Sequence, residues 1–154
     1  MDKDELAKNL VPFVHAEWTK DTERFNRSVE ISKDRLKNLC DFQKDSEFIF
    51  ALPEYSSAII SWKNAPNKTM AKNLKHVRAL IENAKDANFP NEALKNEILE
   101  FAEKEGRGDV LWPLRVSLSG LESSPGPTEL LYVLGREESL MRIDSALRKL
   151  SESS

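Results

Sequence analysis

The sequence predicts an all-α protein built as two small packed helical subdomains. Only five glycines occur in 154 residues. No alternating polar and apolar run reaches strand length, and apolar residues recur at helical spacing along nearly the whole chain. With 40% apolar and 8% aromatic residues, the chain can bury one ordinary core or two small ones.

The elements follow in order. Asp2 is placed to cap a first helix whose Leu6, Leu10 and Phe13 fall at i, i+4 and i+7, with Pro12 kinking or closing it. Asp21 or Thr22 caps a second helix carrying Phe25, Val29 and Leu36. A third begins near Lys37 or Asn38 and runs through Leu39, Phe42 and Phe50, with Phe42, Phe48 and Phe50 as core. Between Leu52 and Lys68, Pro53 and Pro66 flank the apolar IISW, and turn-forming residues follow. The boundary is therefore expected here, giving subdomains 1–66 and 67–154. Beyond it, Met70, Leu74, Val77 and Ile81 form a four-turn stripe. Asn91 caps a helix with Leu94, Ile98 and Phe101 that ends at Gly106. Asp109 caps another through Val110, Leu114 and Leu118, stopped by Gly120. After the loop LESSPGP, Thr128 opens a short helix closed by Gly135, and Leu140, Ile143, Leu147 and Leu150 define the last helix before a Ser-rich tail.

Composition narrows the function classes. No run approaches the roughly 20 apolar residues of a membrane span, and MDKDELAKNL lacks the apolar stretch of a signal peptide, so a soluble cytoplasmic protein is expected. Cys40 is the one cysteine, and His15 and His76 are far apart, so no zinc-ligand spacing exists and no metal is expected. Cys40 falls on an apolar helical face, which predicts a buried, inert thiol. Neither histidine has an acidic neighbour in a catalytic pattern, and no Gly-rich phosphate loop or nucleophile motif occurs.

The net charge of −3 excludes bulk electrostatic coating of nucleic acid. Residues 1–80 carry 14 Lys/Arg against 12 Asp/Glu, whereas residues 81–154 carry 9 against 14. Contact with a nucleic acid must then rest on local basic positions. Lys33, Lys37, Lys63, Lys68 and Lys72 are candidates for phosphates, although such a scatter is more often a solvated face. Trp18, Trp62 and Trp112 are more often core than base-stacking platforms.

Residues 113–150, PLRVSLSGLESSPGPTELLYVLGREESLMRIDSALRKL, join a Pro-Leu-Arg helix ending in Gly to a Pro-Gly loop, a Leu-Gly-Arg-Glu segment and an Arg-Ile helix. Upstream stand LVPF at 10–13, DRLKNLCDF at 34–42 and FIF at 48–50. In order and spacing this set resembles the C-terminal anticodon-binding region of bacterial glutamate–tRNA ligases, over almost the whole chain. The resemblance implies two helical subdomains that follow a Rossmann-type catalytic domain and hold the anticodon loop of a glutamate tRNA. The family's ATP-handling signatures HIGH and KMSKS do not occur. This chain alone is then expected to charge no tRNA and to hold no cofactor, with ATP and Mg left to the catalytic domain. Met1 would be an artificial start or that of a separated fragment, and the protein a monomer.

By the same resemblance, Arg35 in DRLKNL falls where an arginine meets the third anticodon base. Arg115 in PLRVSL falls where an arginine packs against another anticodon nucleotide. Ser124, Pro125, Gly126 and Pro127 occupy the loop that lines that pocket. Relatives often carry Thr at the position of Ser124 and a leucine-like residue at that of Pro127, so this chain departs from the family pattern at both.

The chemistry suits the residues. Unpaired bases expose their edges and π faces. A guanidinium stacks on one and donates to the other, and never accepts. The third anticodon base is cytosine for glutamate and guanine for glutamine. Cytosine offers O2 and N3 acceptors where guanine offers N1–H and N2–H donors, so Arg35 would bond to the first and oppose the second. Two other readings compete: a helical protein-interaction scaffold, in which Arg115 forms an interhelical ion pair, and a non-discriminating enzyme's domain serving both tRNAs.

Overall fold

The computed structural model describes residues 3–14, 16–33, 36, 38–63, 65–84 and 89–152, and among them there is no strand. The chain divides into two compact units, Met1–Ala51 and Leu52–Ser154.

In the first unit, α1 (Lys3–Leu10) buries Leu6 and Leu10. The α-helix stops there, because Pro12 can supply no N–H and the chain tightens into a 3-10 turn over Val11–Phe13. Phe13 consequently leaves the stripe expected for it and is 39% exposed. After α2 (Ala16–Lys20), the Asp21 carboxylate accepts the Arg24 N–H at 3.2 Å and caps α3 (Thr22–Ser32). The next helix, α4 (Asp41–Phe50), starts later than its apolar pattern suggests, with Leu39 in the turn before it. Cys40 is therefore an N-cap residue and exposed, not the buried thiol expected. Its place outside the helix takes it off the apolar face. The core joins Leu6, Leu10, Trp18, Phe25, Val29 and Phe42, with Phe50 stacked on Trp18 at 4.3 Å.

In the second unit, α5 (Asn67–Glu82) packs with α6 (Glu92–Glu105), α7 (Arg107–Ser119) and α8 (Pro127–Glu152). The stripe Met70, Leu74, Val77 and Ile81 is wholly buried. Asn91 caps α6 through a 2.8 Å bond from Leu94 N–H. Helix α7 starts at Arg107, so Asp109 lies in its first turn and is not its cap. Pro113 sits inside α7 and cannot bond back to the Asp109 carbonyl. The buried Asn73 amide of α5 donates to that oxygen instead, at 2.9 Å, so the orphaned acceptor is satisfied across helices. Helix α8 begins at Pro127, one residue before Thr128, and Gly135 breaks it at φ 80°, ψ 169° into two helical arms. Immediately after the break, Arg136 donates to the Glu82 and Ala84 carbonyls at the end of α5.

The division between the units falls after Ala51, whereas the prolines suggest a boundary at 66. The stretch between is held by side chains of the second unit. Trp112 Nε1 donates to the Ile59 carbonyl at 2.8 Å, Lys149 Nζ donates to the Tyr55 carbonyl at 3.1 Å, and Ile60 is fully buried.

Tyr55 gives a pH prediction. Its buried hydroxyl has no hydrogen-bond partner among the described residues, and burial pushes the phenol from 10.0 up to about 12, against the opposing pull of the Arg142 cation. Folding favours the protonated phenol, so its contribution to stability is whole below the unfolded value of 10.0 and is lost as pH rises through about 12. An absorbance titration of native protein is expected to show a late tyrosinate step that Tyr55→Phe removes. A single unshifted transition would sink this assignment.

Candidate functional site

Helix α7 packs against α5, α6 and α8 and buries Val110, Pro113, Leu114, Val116, Leu118 and Ser119. Arg115 and Trp112 are only half-buried and lie three residues apart, on one face of the helix. The Arg115 guanidinium stands over the Trp112 ring, 4.8 Å from its centroid. The indole cannot rotate freely, because its N–H is tied to the Ile59 carbonyl. Trp62 lies beside it at 5.2 Å and 43°, with Lys63 Nζ 5.1 Å over the Trp62 ring. This ledge depends on Gly108, where any Cβ would overlap the Trp62 indole.

The other end of Arg115 reaches the loop between α7 and α8. Nη1 donates to Ser124 Oγ at 3.1 Å and Nη2 to the Glu122 carbonyl at 2.8 Å. Ser124 in turn donates to the Pro125 carbonyl at 2.9 Å, and the Gly126 carbonyl accepts the Leu130 N–H as α8 begins at Pro127. The structure thus brings together Arg115 and Ser124, with Pro125, Gly126 and Pro127 following in the same loop. Above Gly126 a Cβ would meet nothing within 4 Å, so the loop offers open space there.

Partial burial lowers the Arg115 pKa below the ordinary guanidinium value, yet the group remains cationic at neutral pH. Among the described residues its contacts are a hydroxyl, a carbonyl and an indole, with no carboxylate, in contrast to the ion pair of the scaffold reading. A half-desolvated cation with neutral partners keeps donor capacity for a flat, acceptor-bearing ligand.

Arg35 and Lys37 lie outside the described residues, as do Asp2 and His15. Lys33, Lys63, Lys68 and Lys72 are exposed. Trp18 is 6% exposed and belongs to the core of the first unit. Trp62 and Trp112 are not core but half-buried, and nothing in their local sequence separates them from Trp18. The spacing of Trp112 and Arg115 could have been read as a shared helical face. No local signal marks Trp62 or Gly108, which are 46 residues apart in sequence. No helix of the described residues is long and apolar enough to cross a membrane.

Residues 5–147 match the family model described as an anticodon binding domain. The glutamate–tRNA ligase of Clostridium acetobutylicum is 29% identical over 97% of this chain and 31% of its own length. That of Solibacter usitatus is 32% identical over 95% of this chain and 30% of its own. A crystal structure of a glutamate tRNA ligase from Elizabethkingia meningosepticum, in complex with its amino acid, shares the fold with a TM-score of 0.72 at 23% identity, over 96% of this chain and 31% of that one. The chain spans about a third of the length of the curated relatives it matches.

Proposed function

We propose that this chain, which belongs to the anticodon-binding domain family, holds the anticodon loop of a glutamate tRNA and reads its bases with arginine donors. The observation that carries this reading is Arg115, set over Trp112 and bridged to the 122–124 loop with no carboxylate partner among the described residues. A guanidinium so placed can stack on one base and donate to the edge of another. Arg35 supplies the second contact, to the third anticodon base, through the donor pattern that cytosine accepts and guanine opposes. Exposed Lys63 and Lys68 lie near enough to Trp62 in sequence to serve phosphates of the same strand.

On this reading the work done on the tRNA belongs to a partner, the catalytic domain of a glutamate–tRNA ligase, which would use ATP and Mg; the reading is supported by relatives of that name, of which this chain spans about a third. The chain itself contributes binding and selection in the cytoplasm, and needs no cofactor for either.

The test is a binding titration with two transcribed glutamate tRNAs differing only in the third anticodon base. Wild type is expected to favour cytosine by roughly 1–3 kcal/mol, and Arg35→Gln, whose amide both donates and accepts, to lose most of that preference at equal helicity. Arg115→Ala is expected to weaken binding to both tRNAs by about 1–3 kcal/mol, the scale of one stacking contact. Log affinity should fall with log salt by about 0.7 per phosphate contact. Equal binding by wild type and both variants, unaffected by salt, would leave only the scaffold reading.

A further inference from the structure

Arg115 is held at both ends. Its side chain bonds forward to Glu122 and Ser124, while its own carbonyl accepts a hydrogen bond from Ser119 Oγ at 2.8 Å. The same hydroxyl oxygen accepts the Leu121 N–H at 3.1 Å. Ser119 is fully buried, and its single hydrogen goes to the Arg115 carbonyl, the shorter of its two acceptor contacts; the Leu121 carbonyl lies at 3.2 Å. These bonds close a ring, from Arg115 along α7 to Ser119, across Gly120 to Leu121 and Glu122, and back through the Glu122 carbonyl to Arg115 Nη2. Gly120 permits the reversal with φ at 71°, and its N–H bonds to Val116 O at 2.6 Å. A Cβ there would press on Pro53 at 3.0 Å. The helix end is fixed from α8 as well, since buried Arg142 donates to the Leu118 carbonyl at 2.7 Å.

We propose that Ser119 is a positioning residue for base reading: its hydroxyl ties the 121–126 loop to α7 and so holds the Arg115 guanidinium against Trp112 before RNA arrives. The proposal rests on the assigned role of Arg115. Without the hydroxyl, the Leu121 N–H loses its acceptor, the Glu122 carbonyl is released, and Arg115 regains rotamers that binding must then order. A site held loosely by its supporting residues loses selectivity before it loses fold.

The experiment uses the full chain and two readouts. The first is the side-chain Nε–H resonance of Arg115 in the free protein. The second is affinity for transcribed anticodon stem-loops of glutamate tRNA, cognate or with the first or second anticodon base replaced. Wild type is expected to prefer the cognate stem-loop by about five- to hundredfold, the span of one good base contact. Ser119→Ala is expected to shift the Arg115 resonance and to lose most of that ratio while remaining helical. Should alanine unfold the helix end, Ser119→Cys, with a weaker donor and acceptor in nearly the same volume, is read in the same two ways. An unmoved Arg115 resonance overturns the proposal whatever the RNA does. A shifted resonance in a protein whose wild type shows no base preference instead supports the tie and removes the base-reading role of Arg115.

Discussion

Arg142→Met is expected to lower the unfolding free energy of the 52–154 unit by about 1–3 kcal/mol, the cost of leaving a buried acceptor without its donor and a partly exposed carboxylate without its cation. Arg142 is 2% exposed, and its Nε lies 2.9 Å from Glu138 Oε1, one turn earlier on α8. Nη1 satisfies the Leu118 carbonyl, one of the last four of α7, which have no helical partner of their own. Methionine fills the volume of the arginine stem, so the loss reports the missing donors rather than a cavity. Glu138, 26% exposed, loses its cation but keeps part of its hydration, while the Leu118 oxygen is left without its donor. The double variant Glu138→Leu, Arg142→Met is expected to recover much of the loss, because replacing both ions by apolar groups is far less costly than stranding one. Denaturant unfolding followed by circular dichroism gives the comparison. A loss below about 1 kcal/mol for the single variant would mean that the pair is effectively solvated.

In the first unit the largest effect is expected at Phe42, where alanine should cost about 3–5 kcal/mol. Phe42 is fully buried and meets two aromatic neighbours edge to face, Phe25 at 5.9 Å and 87° and Trp18 at 6.1 Å and 71°. A unit of this size has one small core, so a missing ring cannot be absorbed by neighbouring layers. Faster amide hydrogen exchange throughout α3 and α4 is the expected signature. Phe13→Ala is the control, since a ring 39% exposed on a 3-10 turn should cost under about 1 kcal/mol. Equal effects at the two positions would contradict the core described for this unit.

What could be read directly from the residues is local in origin. The stripe Met70, Leu74, Val77 and Ile81 buries as its spacing requires, because helical periodicity and the location of the core are the same information. Asp21 and Asn91 cap their helices, and Gly106, Gly120 and Gly135 adopt the positive φ at which helices end or break. The start of α4 was less legible, because Leu39 continues an apolar pattern into a turn, and with it went the environment of Cys40. The family resemblance also came from order and spacing along the chain, and it named Arg115 and the 124–127 loop without saying how they meet.

Tertiary structure alone decided which groups answer one another. Asn73 serves the carbonyl orphaned by Pro113 at a separation of 36 residues, Trp112 bonds to Ile59 at 53, and Lys149 to Tyr55 at 94. Those last two bonds hold a stretch bounded by prolines to the second unit, although its composition reads as a linker. Backbone propensity and periodicity act within a few residues and leave their mark there. An orphaned carbonyl, or the half-buried face of a tryptophan, is completed by whatever side chain the packed helices bring to it. That pairing arises only when distant segments exclude water together.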